Sequence, residues 1–74
     1  MEIKVKLFAT LRENRGKEVS LELDKGATAE DALKKLEIPK KDVAILMING
    51  RDDNPGKELK DGDLLSIFPP VGGG

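Results

Sequence analysis

The chain lacks several of the side chains from which enzymes and metal sites are built. Its 74 residues include no cysteine, no histidine, no tryptophan and no tyrosine. Without cysteine the chain can form neither a disulfide nor a thiolate metal site. Without histidine it lacks the commonest metal ligand and the commonest general base near neutral pH. Because no other catalytic constellation is present in the sequence, we expect a non-catalytic protein with no metal site of its own.

The chain also has little net charge and no long apolar run at its start. Thirteen Lys and Arg residues oppose fourteen Asp and Glu residues, so the formal net charge is -1. Such a weak net field does not favour nucleic acid or an anionic membrane as a partner. The first residues contain no apolar run suited to a signal peptide or a membrane span. We therefore expect a soluble, cytoplasmic, single-domain protein with a small core.

The alternation of residue types at the N-terminus predicts a β-hairpin. Apolar and charged side chains alternate in residues 1–7, and Val19, Leu21 and Leu23 alternate with polar residues in the same way. A period of two is typical of a half-buried strand. The polar residues 13–17 between the two segments include a glycine, which favours a turn.

A helix is predicted to follow the hairpin. Thr28 can cap its start. Glu30 and Asp31 lie in the first turn, where the helix dipole favours negative charge. Pro39 limits the length of this helix, since proline cannot continue the hydrogen-bond ladder.

Two main strands are predicted after the helix, with a short strand between them. The nearly continuous apolar run at residues 43–48 predicts a buried strand, and an Asn-Gly turn follows it. Residues 64–68 predict the last strand. Asp61 and Asp63 lie just before it with a glycine between them, so we interpret them as turn formers and not as calcium ligands.

This order of elements, β-β-α-β-(short β)-β, resembles the ubiquitin-like β-grasp fold of the α+β class. In that fold a small mixed sheet of four to five strands packs on one helix, and the first and last strands lie side by side in the middle. The helical crossover between those two strands allows them to pair in parallel.

Two phenylalanines, which are the only aromatic residues, are predicted to face away from the helix. Phe8 follows a strand whose odd-numbered residues face the core. Leu64 and Phe68 alternate with the core-facing Leu65 and Ile67. Exposed aromatic residues are typical interface anchors, so we interpret Phe8 and Phe68 as a partner-binding pair. The alternative is a bulge or strand end that turns Phe8 back into the core.

The last six residues combine a stiff base with a tip free of side chains. Pro69 and Pro70 cannot donate ladder hydrogen bonds and favour an extended chain, so they end the sheet and direct the tail outward. The four residues after them add at most about 13–14 Å of reach. We interpret residues 1–68 as the folded domain and residues 69–74 as a flexible reactive tail that presents the Gly74 carboxylate. A frayed glycine-rich end is the alternative.

Two segments of the chain resemble the small subunit of molybdopterin synthase, the MoaD-like members of the MoaD/ThiS superfamily of ubiquitin-like sulfur carriers. Residues 7–13, Leu-Phe-Ala-Thr-Leu-Arg-Glu, are similar to that family's first-strand signature. Residues 59–63, Leu-Lys-Asp-Gly-Asp, together with Ile-Phe-Pro-Pro-Val at 67–71 and the glycine end, are similar to its closing segment. The resemblance spans essentially the whole chain.

The resemblance implies a sulfur carrier that reacts through its last residue and binds no cofactor itself. An E1-like adenylating enzyme, using ATP and magnesium, would activate Gly74, and sulfur from a persulfide donor would convert it to a thiocarboxylate. The large subunit of molybdopterin synthase, in a heterotetramer with this chain, would transfer the sulfur to a pterin precursor of the molybdenum or tungsten cofactor.

The resemblance also assigns roles to individual residues. Gly73 and Gly74 correspond to the reactive tail, and no residue corresponds to a catalytic group. From the residues alone, Arg12 has a second interpretation of equal weight, as a solvated charge in the hairpin turn. The expected partner-binding residues are Phe8, Arg12, Leu64, Phe68, Pro70 and Val71.

Three other functions remain open at this point. Sulfur carriers of the thiamine pathway share the fold and the glycine end but usually lack the Phe-Pro-Pro stretch of residues 68–70. A ubiquitin-like modifier would pass the activated Gly74 to lysine amines of other proteins. A simple interaction module would use its surface and leave the tail inert.

Overall fold

A computed structural model describes residues 1–70, which form one mixed five-stranded sheet with a helix. Strands β1 to β5 span Glu2–Leu7, Glu18–Glu22, Ile45–Ile48, Arg51–Asp52 and Leu64–Phe68, and helix α1 spans Ala29–Lys35. Short 3-10 helices span Ala9–Arg12 and Lys40–Asp42. The strand order is β2-β1-β5-β3-β4. This order confirms the predicted β-grasp fold, in which the first and last strands are paired at the centre.

The central pair of strands defines the two sides of the sheet. β1 and β5 run parallel, with Val5 opposite Leu65 and Leu7 opposite Ile67, and these four side chains are at most 1% exposed. Because alternate residues of a strand point to opposite faces, the same register gives a core side and an outer side. Other members of the core are Ile3, Leu21, Ala29, Ala32, Leu33, Leu46 and Ile48.

Helix α1 begins at a complete capping box, which confirms the predicted start at Thr28. The Asp31 N–H donates to the Thr28 hydroxyl oxygen, and the Thr28 N–H donates to the Asp31 carboxylate at 2.8 Å. Hydrogen bonds from the Thr28 N–H and hydroxyl hold the pKa of Asp31 below its ordinary value. Since the folded-state pKa is lowered, this stabilisation is present above the ordinary pKa and is lost as pH falls through the folded value.

The acidic turn before β5 is hydrogen-bonded to the start of β1 and within itself. Asp61 accepts a hydrogen bond from the Glu2 N–H, and Asp63 accepts one from the Lys60 N–H, each at 2.8 Å. Both carboxylates therefore satisfy backbone donors, as predicted for turn formers. Among residues 1–70, no group of three or more acidic side chains is placed to hold a metal ion. Within the same range, no helix has the length and apolarity needed to cross a membrane.

Two segments differ from the prediction. Residues 43–48 are predicted as a buried strand, but β3 begins at Ile45, and of its residues only Leu46 and Ile48 are buried. The other two residues lie on the outer side of the sheet, where Ile45 is exposed and Met47 is half-buried. The connection between β1 and β2, predicted only as a turn, contains a 3-10 helix whose Leu11 is buried in the core.

Candidate docking surface

Phe8 and Phe68 stack on each other on the outer side of the sheet. Their ring centroids are 4.1 Å apart and their planes differ by 10°. Phe8 follows β1 with extended backbone angles, φ -123° and ψ 150°, and so continues the alternation beyond Leu7. Both phenylalanines are half-buried and lie outside the core cluster. Their predicted position as neighbours on the outer side is confirmed, whereas their binding to a partner stays a prediction.

Arg12 is held against this aromatic pair. Its guanidinium carbon lies 5.6 Å from the centroid of the Phe8 ring, and its Nε donates to the Leu7 carbonyl at 2.9 Å. A cation at this distance from an aromatic face contributes about 0.5–1 kcal/mol at an exposed site. Arg12 is therefore an exposed charge with a fixed place beside Phe8, and not a free side chain in a turn.

Three more apolar side chains extend the aromatic pair across the sheet. Ile45 lies opposite Phe68 in the pairing of β3 with β5, and Met47 follows it on the same side. Leu64 precedes Phe68 by four residues and is half-buried, whereas Ile45 is 46% exposed. Exposed apolar surface of this kind marks binding sites. We call the five side chains the outer patch: Phe8, Ile45, Met47, Leu64 and Phe68.

Ile45 and Met47 are not among the site residues predicted from the sequence. Every residue from 43 to 48 is apolar, so the sequence carries no alternation that would separate core from surface. Only the register with β5, in which Ile45 pairs with Phe68, assigns these residues to the outer side. From the sequence, these two residues could be assigned only by assuming that the strand at residues 43–48 pairs with the last strand and shares its inward and outward positions.

β5 leads directly from the outer patch into the tail. Phe68 is its last residue, Pro69 is half-buried and Pro70 is exposed. Both prolines line a cleft of about 720 Å³ shared with the β1–β2 connection and the end of α1. The predicted tail residues Val71, Gly73 and Gly74 lie outside the described residues.

Arg15, which no sequence motif singles out, ties the β1–β2 connection to the end of α1. Its guanidinium donates to the carbonyl oxygens of Leu36 at 3.2 Å, Leu11 at 3.3 Å and Glu37 at 3.4 Å. Leu36 is the C-cap of α1, and Glu37 adopts a left-handed φ of 58°. The last carbonyls of a helix lack partners within the helix, and a cation there also interacts favourably with the helix dipole.

Replacing Arg15 with alanine is expected to lower the free energy of unfolding by about 1–2 kcal/mol, because three charge-assisted hydrogen bonds are lost. Urea denaturation of Arg15→Ala and wild type measures the difference. Arg15→Lys is the matched control: it keeps the charge but cannot bond three carbonyls from one planar group, and we expect an intermediate loss. An unchanged midpoint for Arg15→Ala would show that these bonds contribute nothing to stability.

Comparison with known proteins places this geometry among ubiquitin-like carriers and modifiers. Residues 5–74 match the ThiS family. The whole chain aligns with all of small archaeal modifier protein 3 from Haloferax volcanii at 36% identity.

Solved structures give the same answer for the fold. SAMP1 from Haloferax volcanii is 29% identical and superposes with a TM-score of 0.82, with complete coverage of both chains. A candidate molybdopterin converting factor subunit 1 from Pyrococcus furiosus is 32% identical, with a TM-score of 0.80 over 96% of this chain and 99% of the other. The similarity thus extends to a protein named as a molybdopterin converting factor subunit and to proteins named as modifiers.

Proposed function

The chain belongs to the ThiS family of ubiquitin-like proteins, and on that premise we propose that it carries sulfur on its tail for molybdopterin synthesis. In this proposal the Gly74 carboxylate is adenylated by an E1-like enzyme and then converted to a thiocarboxylate. The large subunit of molybdopterin synthase receives the tail and passes the sulfur to a pterin precursor. The 32% identity to the Pyrococcus furiosus protein supports this choice of pathway.

The observation that carries the proposal is the stacked Phe8–Phe68 pair at the base of the tail. Anchors that are ordered before binding reduce the entropy lost on association. Because β5 continues from Phe68 into Pro69 and Pro70, a partner docked on the outer patch has the tail beside it. Residues 71–74 then add at most about 13–14 Å of reach toward a buried active site.

The proposed chemistry requires no reactive side chain from this protein. A Gly74 carboxylate oxygen attacks the α-phosphorus of ATP and pyrophosphate leaves, which gives an acyl adenylate. The terminal sulfur of a persulfide then displaces AMP and forms a C–S bond, and a second thiol of the donor cleaves the S–S bond that came from the persulfide. The thiocarboxylate stays on Gly74 and the disulfide stays on the donor. ATP, magnesium and persulfide all belong to partners, which agrees with a chain that has no cysteine.

Intact-mass analysis of the protein purified from its native host tests the proposal. The expected species is this chain with one oxygen at its end exchanged for sulfur, and alkylation of the thiocarboxylate should add one label per chain. As the control, protein made in a host without the activating enzyme should have a plain carboxylate and take no label. A native chain that never gains sulfur, or that continues beyond Gly74, would refute the carrier proposal.

Modification of other proteins is the second candidate, and the 36% identity to a small archaeal modifier protein favours it. The two candidates share adenylation and differ in the nucleophile, which is a persulfide sulfur in one and a lysine amine in the other. No Lys or Arg follows Lys60, so trypsin would leave residues 61–74 attached to any modified lysine. Detecting that branched peptide in the host proteome supports the modifier, and its absence together with a thiocarboxylate supports the carrier.

A further inference from the structure

A cleft with three positive charges lies beside Phe8, at the edge of the outer patch. Lys6, Arg12, Lys17 and Glu18 line it, and its volume is about 280 Å³. Lys6 lies directly opposite Glu18 in the pairing of β1 with β2, and all four charged side chains are exposed. Three cations therefore converge on one cleft in a chain whose formal net charge is -1.

Within the described part of the chain, one carboxylate in the cleft, that of Glu18, stands against the three positive charges. The Glu18 carboxylate pairs with Lys4 Nζ at 3.7 Å, and none of the ion pairs within residues 1–70 involves Lys6, Arg12 or Lys17. Exposed charges attract opposite charges over roughly one Debye length, about 8 Å at physiological ionic strength. The cleft is therefore a positive border on the β1 side of the outer patch.

The opposite border of the patch has the other sign. Asp52 lies opposite Met47 in the pairing of β3 with β4, at the far edge of the sheet. An apolar strip with cations along one side and a carboxylate at the other is not symmetric. A partner with complementary charges would dock on it in one orientation in preference to the reverse.

We propose that the cleft receives acidic side chains of the enzyme that adenylates this chain. That enzyme would then present carboxylates beside the pocket that accepts Phe8 and Phe68. This inference rests on the proposed function and adds Lys6 and Lys17 to its binding residues. Charges at the border of an interface act mainly on the association rate, because they steer the encounter before the apolar contact forms.

The test compares two double variants with the same change in net charge. Lys6→Glu with Lys17→Glu reverses the cleft. Lys25→Glu with Lys60→Glu is the matched control, since both residues lie at the end of the sheet away from Phe68, next to the end of β2 and the start of β5. At low salt we expect the first variant to associate with the activating enzyme about 10-fold more slowly and the control within about twofold of wild type. High salt should reduce the difference.

A neutral variant, Lys6→Gln with Lys17→Gln, guards against misfolding, because a glutamate at position 6 would face Glu18 across the strands. We expect an association about threefold slower for it. Equal losses in the reversed and control variants, or no loss in either the reversed or the neutral variant, would overturn the inference. If wild type is adenylated while the cleft variants associate normally, only this inference is lost, whereas failure of wild type to be adenylated removes the proposed function itself.

Discussion

Removal of residues 73–74 is expected to reduce adenylation at least 100-fold while the domain stays folded. The truncation withdraws the terminal carboxylate by about 7 Å, at ~3.3–3.6 Å per residue. A displacement of even about 1 Å from the reacting geometry can cost on the order of 100-fold in rate. Because β5 ends at Phe68 and the core lies before it, the melting temperature should remain that of wild type. ATP–pyrophosphate exchange with the activating enzyme measures the rate.

Two further variants separate reach from docking. Removal of Gly74 alone leaves a glycine carboxylate withdrawn by about 3.5 Å, and we expect sulfuration of the pterin precursor in a reconstituted assay to be lost with it. Gly74→Ala keeps the length and adds a Cβ, so it tests the width of the channel. All three variants should bind the activating enzyme with a Kd within about threefold of wild type, since the outer patch is intact. If pterin sulfuration were unchanged without Gly74, the sulfur-carrier proposal would be lost.

The fold could be predicted because its signals are local. The predicted bounds of the last strand, residues 64–68, coincide with β5, since an Asp-Gly-Asp turn comes directly before it and two prolines end it. The helix start at Thr28 is determined by a few neighbouring residues, which form a capping box. The central pairing of β1 with β5 then follows from topology, because a helical crossover allows neighbouring parallel strands.

The site was only partly predictable because its remaining contacts join distant parts of the chain. Phe8 and Phe68 could be placed on one face by counting alternate residues, for Phe8 from the periodicity of β1 and for Phe68 from the core-facing Leu65 and Ile67. Ile45 could not, because its register with Phe68 is a property of the folded sheet. Arg15 donates hydrogen bonds to carbonyl groups 21 and 22 residues away as well as to one nearby. The residues next to it in the sequence carry no pattern that predicts the two distant bonds.

Replacement of Phe68 with alanine is expected to weaken partner binding about 30-fold or more, with a smaller effect on stability. Aromatic anchors at the centre of an interface typically contribute at least ~2 kcal/mol to binding when truncated. In the free protein the ring is half-buried and mainly stacks on Phe8, a contact worth about 0.5–1.5 kcal/mol. Isothermal titration with the activating enzyme and urea denaturation measure the two quantities on the same preparation.

Leu65, three residues before Phe68 on the same strand, supplies the matched control, because it is 0% exposed and faces the core. Leu65→Ala should cost about 2–5 kcal/mol, a large share of the ~4–11 kcal/mol expected for a domain of this size. A Phe68→Ala variant that lost as much stability as Leu65→Ala would show that Phe68 acts as core and that the alternation argument fails. A double-mutant cycle with Phe8→Ala completes the argument. If the two rings form one anchor, their effects on binding should be strongly non-additive, whereas independent contacts would add.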